Sequence, residues 1–258
     1  MRAATANRLL LWIVLGMGAA AVLALVSGDP EGRELFGGFV FVALVVGGMS
    51  WLAYRYRIAP RRALFEGQAA AAGLRAQPGD PLGLLALPFA LFRRTGSVRD
   101  VENTASGTRN GTPTVVADYW FATSSDPQRD DYQRYTCVLT ATPAGWENLS
   151  VLPERLPSRI RSTFALPDIE LELEEFNRRF EVGSADRRFA TALLDARMMA
   201  WLLQQEPGIG FEVLDGRLMV FRPRATTSLD DVARALALHD GLLERIPRIL
   251  RTDRPKGA

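Results

Sequence analysis

Residues 98–123 read VRDVENTASGTRNGTPTVVADYWFAT. Asn110-Gly111 lies between two runs rich in β-branched and aromatic residues, the composition of a two-residue hairpin, whose central positions both need positive φ. The predicted strands are 98–107 and 114–123. In the second, Tyr119 and Phe121 share one face while Val116, Asp118 and Trp120 share the other, because side chains alternate along a strand. A polar stretch at 124–131 leads to a third predicted strand at 132–142 (YQRYTCVLTAT), so the three form a meander. Cys137 falls mid-strand, where a small buried hydrophobe is expected rather than a reactive thiol.

Toward the C-terminus, a proline-punctuated connection (LPERLP, 152–157) precedes IELELE at 169–174. Its alternation predicts a half-buried strand in which Glu170, Glu172 and Glu174 form a charged outer row protecting a sheet edge. Another strand is predicted at 176–182 (FNRRFEV). Residues 186–205 then have helical spacing, with Ser184 or Asp186 as N-cap and Phe189, Leu193, Ala196, Ala200 and Leu203 along one face. Asp215-Gly216, between 211–214 and 218–221, is a second hairpin signal. A final helix is expected from Ser228 through Leu243, with Asp231 as a capping partner. Strands in sequence followed by interspersed helices make an α+β domain: an antiparallel β-meander, further strands and two packed helices over 93–250, with a basic flexible tail at 251–258.

Toward the N-terminus the composition changes. Residues 82–92 (LGLLALPFALF) are apolar but too short to cross a bilayer, so they are either an edge of the domain core or an interfacial segment, core packing being favoured. Pro88 argues against one helix through them. The Ala-rich 63–75 stretch favours helix, and 57–92 as a whole reads as a juxtamembrane stalk and apolar connection. Residues 36–54 (FGGFVFVALVVGGMSWLAY) and 9–26 (LLLWIVLGMGAAAVLALV) are apolar runs of 19 and 18 residues. At 1.5 Å per residue each approaches the thickness of the hydrocarbon core, so 1–56 is predicted to be a two-helix transmembrane anchor turned by the Gly- and Pro-containing linker 27–34. A cleaved signal peptide at 1–28 is the rival reading, disfavoured by the length of the run and the second span after it.

Charge orients the hairpin. Arg2 and Arg8 precede the first span and Arg55, Arg57, Arg61 and Arg62 follow the second, whereas the linker is net −2. The positive-inside rule therefore places both termini and the large domain in the cytoplasm, at the inner (plasma) membrane as a multi-pass protein. The four arginines of 55–62 are also candidates for contact with the bilayer surface. Gly37 and Gly48 share a helix face, and Gly16 and Ala20 form a small pair on the other span, permitting close packing within the hairpin or a homo-oligomer.

Chemistry is sparse. One cysteine and one histidine among 258 residues exclude an internal disulfide and a zinc site built from these two alone. His239 is expected to be a surface residue on the last helix. No cofactor or metal is implied, and a domain of net −3 over 93–250 offers no basic stripe for nucleic acid. The one candidate site is Arg178-Arg179 with Arg187-Arg188, bracketing the turn before a helix N-terminus, where an anion or lipid headgroup could sit.

Leu87-Pro-Phe89 with Leu91-Phe-Arg-Arg94, Val101-x-Asn103, Gly107, Gly111, Asp118-Tyr119 and Phe176-x-x-x-Phe180-x-Val182-x-Ser184-x-Asp186, then Ala190 and Leu193-Leu194, form a pattern over about 87–222. The chain thereby resembles an uncharacterised bacterial family, a domain of unknown function in which a two-helix membrane hairpin carries a cytoplasmic α+β domain. The resemblance implies architecture and membrane attachment and brings no activity. Asp195 stands where family members often carry a proline, so the helix is expected to continue through it. The resulting expectation is a non-enzymatic, membrane-anchored cytoplasmic interaction or scaffolding domain with a protein partner, the alternative being a membrane-tethered sensor of a small anion or lipid headgroup.

Overall fold

The computed structural model describes residues 22, 30–53, 59–93, 98–122, 132–154, 167–224 and 230–251. The expected first span at 9–26, with Gly16 and Ala20, lies outside the described residues, as do Arg55, Arg57, the 124–131 loop, Ser228 and the tail beyond Arg251. The chain divides into two compact units, 1–61 and 62–258.

In the first unit, α1 runs Pro30–Ala53, 24 residues. It starts within the stretch expected to be a turn, since Pro30 has a fixed φ that suits a first helical turn and its missing N–H costs nothing there. Phe41, Leu44 and Met49 are 68%, 70% and 67% exposed, and Val42 and Val46 are more than half exposed. At 100° per residue these side chains point all round the helix, so α1 has no polar face along this stretch. Among the described residues no helix is long and apolar enough to cross a membrane. In α1 the described side chains are those of 34, 36–38 and 40–49.

The second unit begins on α2 (Ala59–Ala71) and is built on one antiparallel sheet of eight strands. In chain order these are β1 (Arg75–Pro78), β2 (Arg99–Arg109), β3 (Thr112–Ala122), β4 (Tyr132–Ala141), β5 (Leu149–Pro153), β6 (Phe180–Ser184), β7 (Gly210–Leu214) and β8 (Arg217–Pro223). Their spatial order is β1-β2-β3-β4-β8-β7-β5-β6. Both hairpin signals hold: Asn110 and Gly111 have φ of 51° and 77°, Asp215 and Gly216 of 48° and 74°, the primed-turn geometry that matches strand twist. Between β5 and β8 come α3 (Glu174–Asn177), α4 (Arg187–Leu193) and α5 (Ala196–Leu203); α6 (Asp231–Arg245) and α7 (Arg248–Arg251) close the chain.

Alternation along the strands gives the sheet two apolar faces. On one, Val116, Val138 and Ala105 meet Phe65 and Ala69 of α2 and Val232, Ala235 and Leu236 of α6, while Phe211, Val213, Leu218 and Val220 meet Phe189, Met198, Leu202, Leu238 and Leu242. On the other, Ala117, Tyr119, Phe121, Tyr135, Cys137, Leu139, Met219 and Phe221 are covered by Leu84 and Phe89–Phe92. Residues 82–92 are thus a lid on the core. Asp80 holds its start, accepting from the Leu84 and Leu85 N–H groups at 2.7 and 3.0 Å. Glu212 of β7, 2% exposed, holds its end by accepting from Ala90 N–H at 2.8 Å and Leu91 N–H at 3.3 Å. A carboxylate taking two backbone N–H groups satisfies donors that no strand reaches.

Several expectations are corrected. The stalk reading of 57–92 fails from α2 onward, because Phe65, Ala69 and Leu74 are buried against the sheet and β1 pairs with β2. The IELELE segment is not a strand: Ile169 is buried and Leu171 and Leu173 half-buried, so the alternation of faces is right, but apart from one bridge, Asp168 to Gly183, it has no sheet partner. Asn177 instead holds the Leu171 backbone through both its amide atoms, at 2.7 and 3.1 Å. The strand expected at 176–182 begins only at Phe180. The helix expected over 186–205 breaks at Leu194, and Asp195 caps the new helix by accepting from Met198 N–H at 2.8 Å, the competition with helix interior that Asp typically wins at a cap. β5 occupies a stretch read as part of a connection.

A Cβ on Gly210 would lie 2.7 Å from the Val151 carbonyl oxygen and 2.5 Å from Phe221 Cζ. Gly210→Ala is therefore expected to destabilise the domain by about 1–3 kcal/mol, read as a lowered midpoint in urea unfolding followed by tryptophan fluorescence.

Candidate functional site

One row of polar side chains crosses the helical face of the sheet. The register aligns Asn103 of β2 with Asp118 of β3, Asp118 with Thr136 of β4, and Thr136 with Arg222 of β8. All four are at most 4% exposed. Two residues further along the strands the same face is apolar, so the row marks the end of the core beneath the start of α6. There Asp231, 2% exposed, accepts from Arg222 Nη1 at 2.9 Å and from Arg224 Nε at 3.0 Å. Arg224 Nη1 donates to Asp118 Oδ2 at 2.6 Å, and Arg222 Nε donates to Glu206 at 2.5 Å. Beside them Arg134 pairs with Glu102 at 2.6 Å. This is a chain of alternating charges in a place where single charges would be costly.

Asp118 is the strained member. Burial pushes its carboxyl up to about 6, outweighing the Arg224 guanidinium and the Asn103 amide that favour the charged form, with Glu102 and Asp231 adding further upward push. Its Oδ1 and the Thr136 hydroxyl are buried without a hydrogen-bond partner among the described residues.

A second chain links Thr140 of β4 to α6. Thr140 Oγ1 lies 3.0 Å from His239 Nε2, His239 Nδ1 lies 3.2 Å from Asp240, and Asp240 pairs with Arg109 at 2.6 Å. By distance this is the order of nucleophile, base and orienting carboxylate. By burial it is not a working one: Thr140 is 6% and His239 3% exposed, so a substrate carbonyl has no approach to the hydroxyl. His239, expected on the surface, is buried and ties helix to sheet. Burial lowers its pKa despite Asp240, favouring the neutral ring. Cys137 is buried as expected, and burial pushes its thiol up, away from the reactive thiolate.

The four arginines proposed as an anion site have different partners. Arg179 donates to the Leu203 and Gln205 carbonyls at the end of α5 and lies over the Phe180 ring, while exposed Arg178 sits 3.4 Å from Glu174. Arg187 and Arg188 are exposed on α4. The helix N-terminus they were to share is already occupied by the Asp186 carboxylate, which accepts from Arg188 and Phe189 N–H groups at 2.8 and 3.1 Å. Of the membrane-surface arginines, Arg61 and Arg62 lie in α2, with Arg62 paired to Glu66 at 2.7 Å.

The sequence reading missed an open groove between α5 and α6. One part, about 370 Å³, is walled by Trp201, Ile209, Ala237 and Leu238, with Arg222 and Glu206 at its polar end; a neighbouring part of about 400 Å³ shares Trp201 and Gln204 and adds Arg197 and Arg245. Gly241 makes it possible, since a Cβ there would lie 2.8 Å from the Trp201 ring. Arg245 stacks on the indole at 4.7 Å. Its residues come from α5, the loop after it, β8 and α6, which no local motif brings together.

The solved structure of the mycobacterial trehalose monomycolate transport factor A, TtfA, is similar to this chain with a TM-score of 0.45 and 16% identity, covering 76% of this chain and 97% of that one. No family model and no curated protein match the chain.

Because Asp118 binds its proton more tightly folded than unfolded, its contribution favours the fold below about pH 4 and is lost as pH rises through about 6. Asp118→Asn removes that dependence. Relative to wild type, the variant is expected to gain about 2 kcal/mol between pH 4 and pH 7, measured by urea unfolding across the range.

Proposed function

We propose that this protein is a membrane-anchored interaction domain with no catalytic activity of its own. The observation that carries the reading is α1: large apolar side chains exposed all round a 24-residue helix, which water disfavours and lipid accepts. The sequence supports the same reading, since the apolar run 36–54 has 19 residues and about 20 are needed to cross a bilayer core. The apolar run 9–26 and the basic residues flanking the pair support a hairpin with the domain on the cytoplasmic side. On the domain, the groups best suited to chemistry are occupied elsewhere: His239 by Thr140 and Asp240, Cys137 by the core, and Asp118 and Asp231 by arginines. What the domain offers is surface, in a groove flanked by tryptophan and arginine, residue types that carry binding energy at interfaces.

Charges placed in the middle of both apolar runs test the anchor. Leu44→Arg with Val45→Arg in α1, combined with Leu15→Arg and Met17→Arg in the run 9–26, costs several kcal/mol in hydrocarbon, so the full chain is expected to remain in the membrane pellet after alkaline carbonate washing while the combined variant moves to the supernatant. Equal extraction of both would sink the membrane reading. The interaction reading is tested by crosslinking the full chain in its own membranes and identifying what it captures: one abundant partner, lost on substituting groove residues Trp201 and Arg245, is expected, and self-crosslinks alone would contradict it.

A further inference from the structure

We infer that the part of the groove ending on Arg222 is a binding site for a small organic oxyanion, a phosphate ester with an apolar body, and that Glu206 occupies the anion position when the site is empty. The inference does not depend on the membrane reading. Arg222 is 4% exposed, and its Nε and Nη1 hydrogen-bond to Glu206 and Asp231, leaving Nη2 without a hydrogen-bond partner among the described residues. Asp231, held in turn by Arg224, fixes the guanidinium from behind, so the fork is already oriented before a ligand arrives. The two anions on it are not equivalent. Asp231 is buried, but the Glu206 side chain is 43% exposed on the groove side, so it can swing into water at little cost and yield its place.

The remaining walls select the rest of the ligand. Ile209, Ala237, Leu238 and Trp201 give the cavity an apolar side, and its volume of about 370 Å³ holds a body the size of a phenyl ring. Arg234, exposed at the rim and bonded to Asp230 through Nε at 2.7 Å, adds a second cation near the entrance. An oxyanion headed by an apolar body satisfies both ends at once. Inorganic anions satisfy only one.

Calorimetric titration of the full chain in detergent with phenyl phosphate, inorganic phosphate and dihexanoyl phosphatidic acid tests this. Wild type is expected to bind at least one of the two esters more tightly than inorganic phosphate, and whichever is preferred assigns the source as a soluble metabolite or a lipid headgroup. Glu206→Gln, which removes the competing charge from an exposed position, is expected to tighten that binding by about tenfold. Ala237→Phe, at an exposed position on the groove wall, is expected to abolish it while leaving the thermal midpoint in place. Unchanged affinity in Glu206→Gln, retained binding in Ala237→Phe, or no saturable binding of either ester by any of the three proteins would each overturn the inference.

Discussion

Two arginines and two aspartates where α6 begins, all buried but Arg224, which is partly so, constrain more of this domain than any other contact. Arg222 ends β8, Arg224 follows it, Asp118 belongs to β3 two strands away, and Asp231 opens α6. None can be left alone, because an unpaired buried charge costs several kcal/mol. The pairs therefore fix which residue of α6 meets which strand. A shift of the helix by one turn would leave four charges without partners. Such networks add little net stability compared with apolar residues of the same shape. Here their effect is positional, and the raised pKa of Asp118 is the local sign that burial outweighs attraction.

The groove follows from that placement. With α6 fixed by Asp231 at one end, its packing on α5 is set by Gly241, which lets the Trp201 ring approach, and by the Arg245 guanidinium over the indole. The opposite sheet face closes differently, with an irregular segment, 84–92, that opens on a 3-10 turn at Leu84–Ala86 and is held by two carboxylates, Asp80 and Glu212. One face of the sheet is a rigid helical layer with a groove in it. The other is a packed lid.

Much of the sheet was legible from residues 98–142, because turn chemistry at Asn110-Gly111 and period-two alternation are local signals. The same holds for Asp215-Gly216 and for the two faces of β3. What failed were segments decided by distant partners. IELELE alternates as a strand does, yet its pairing with β6 stops after the Ile169 N–H bonds the Val182 carbonyl, and Asn177 holds the Leu171 backbone instead. The helix through Asp195 has continuous apolar spacing, and a single capping carboxylate breaks it. His239 looked like a surface residue because nothing nearby in sequence shows that Thr140, 99 positions away, waits beneath it. The arginine cluster at 178–188 was chosen by proximity in sequence, whereas Arg222, Arg234 and Arg245, which line the groove, are brought together only by the packing of α6.

The positional role of the charge row is tested most directly by a double-mutant cycle on Arg222 and Asp231, using Arg222→Met and Asp231→Leu with stability read by urea unfolding at pH 7. Each single variant takes one charged partner from a buried charge that keeps another, Asp231 retaining Arg224 and Arg222 retaining Glu206, and is expected to cost about 2–3 kcal/mol, while the double variant, apolar at both positions, is expected to recover most of that loss. Additive losses in the double variant would contradict the claim, because they would mean that each side chain contributes by its own packing and that the pairing of charges positions nothing.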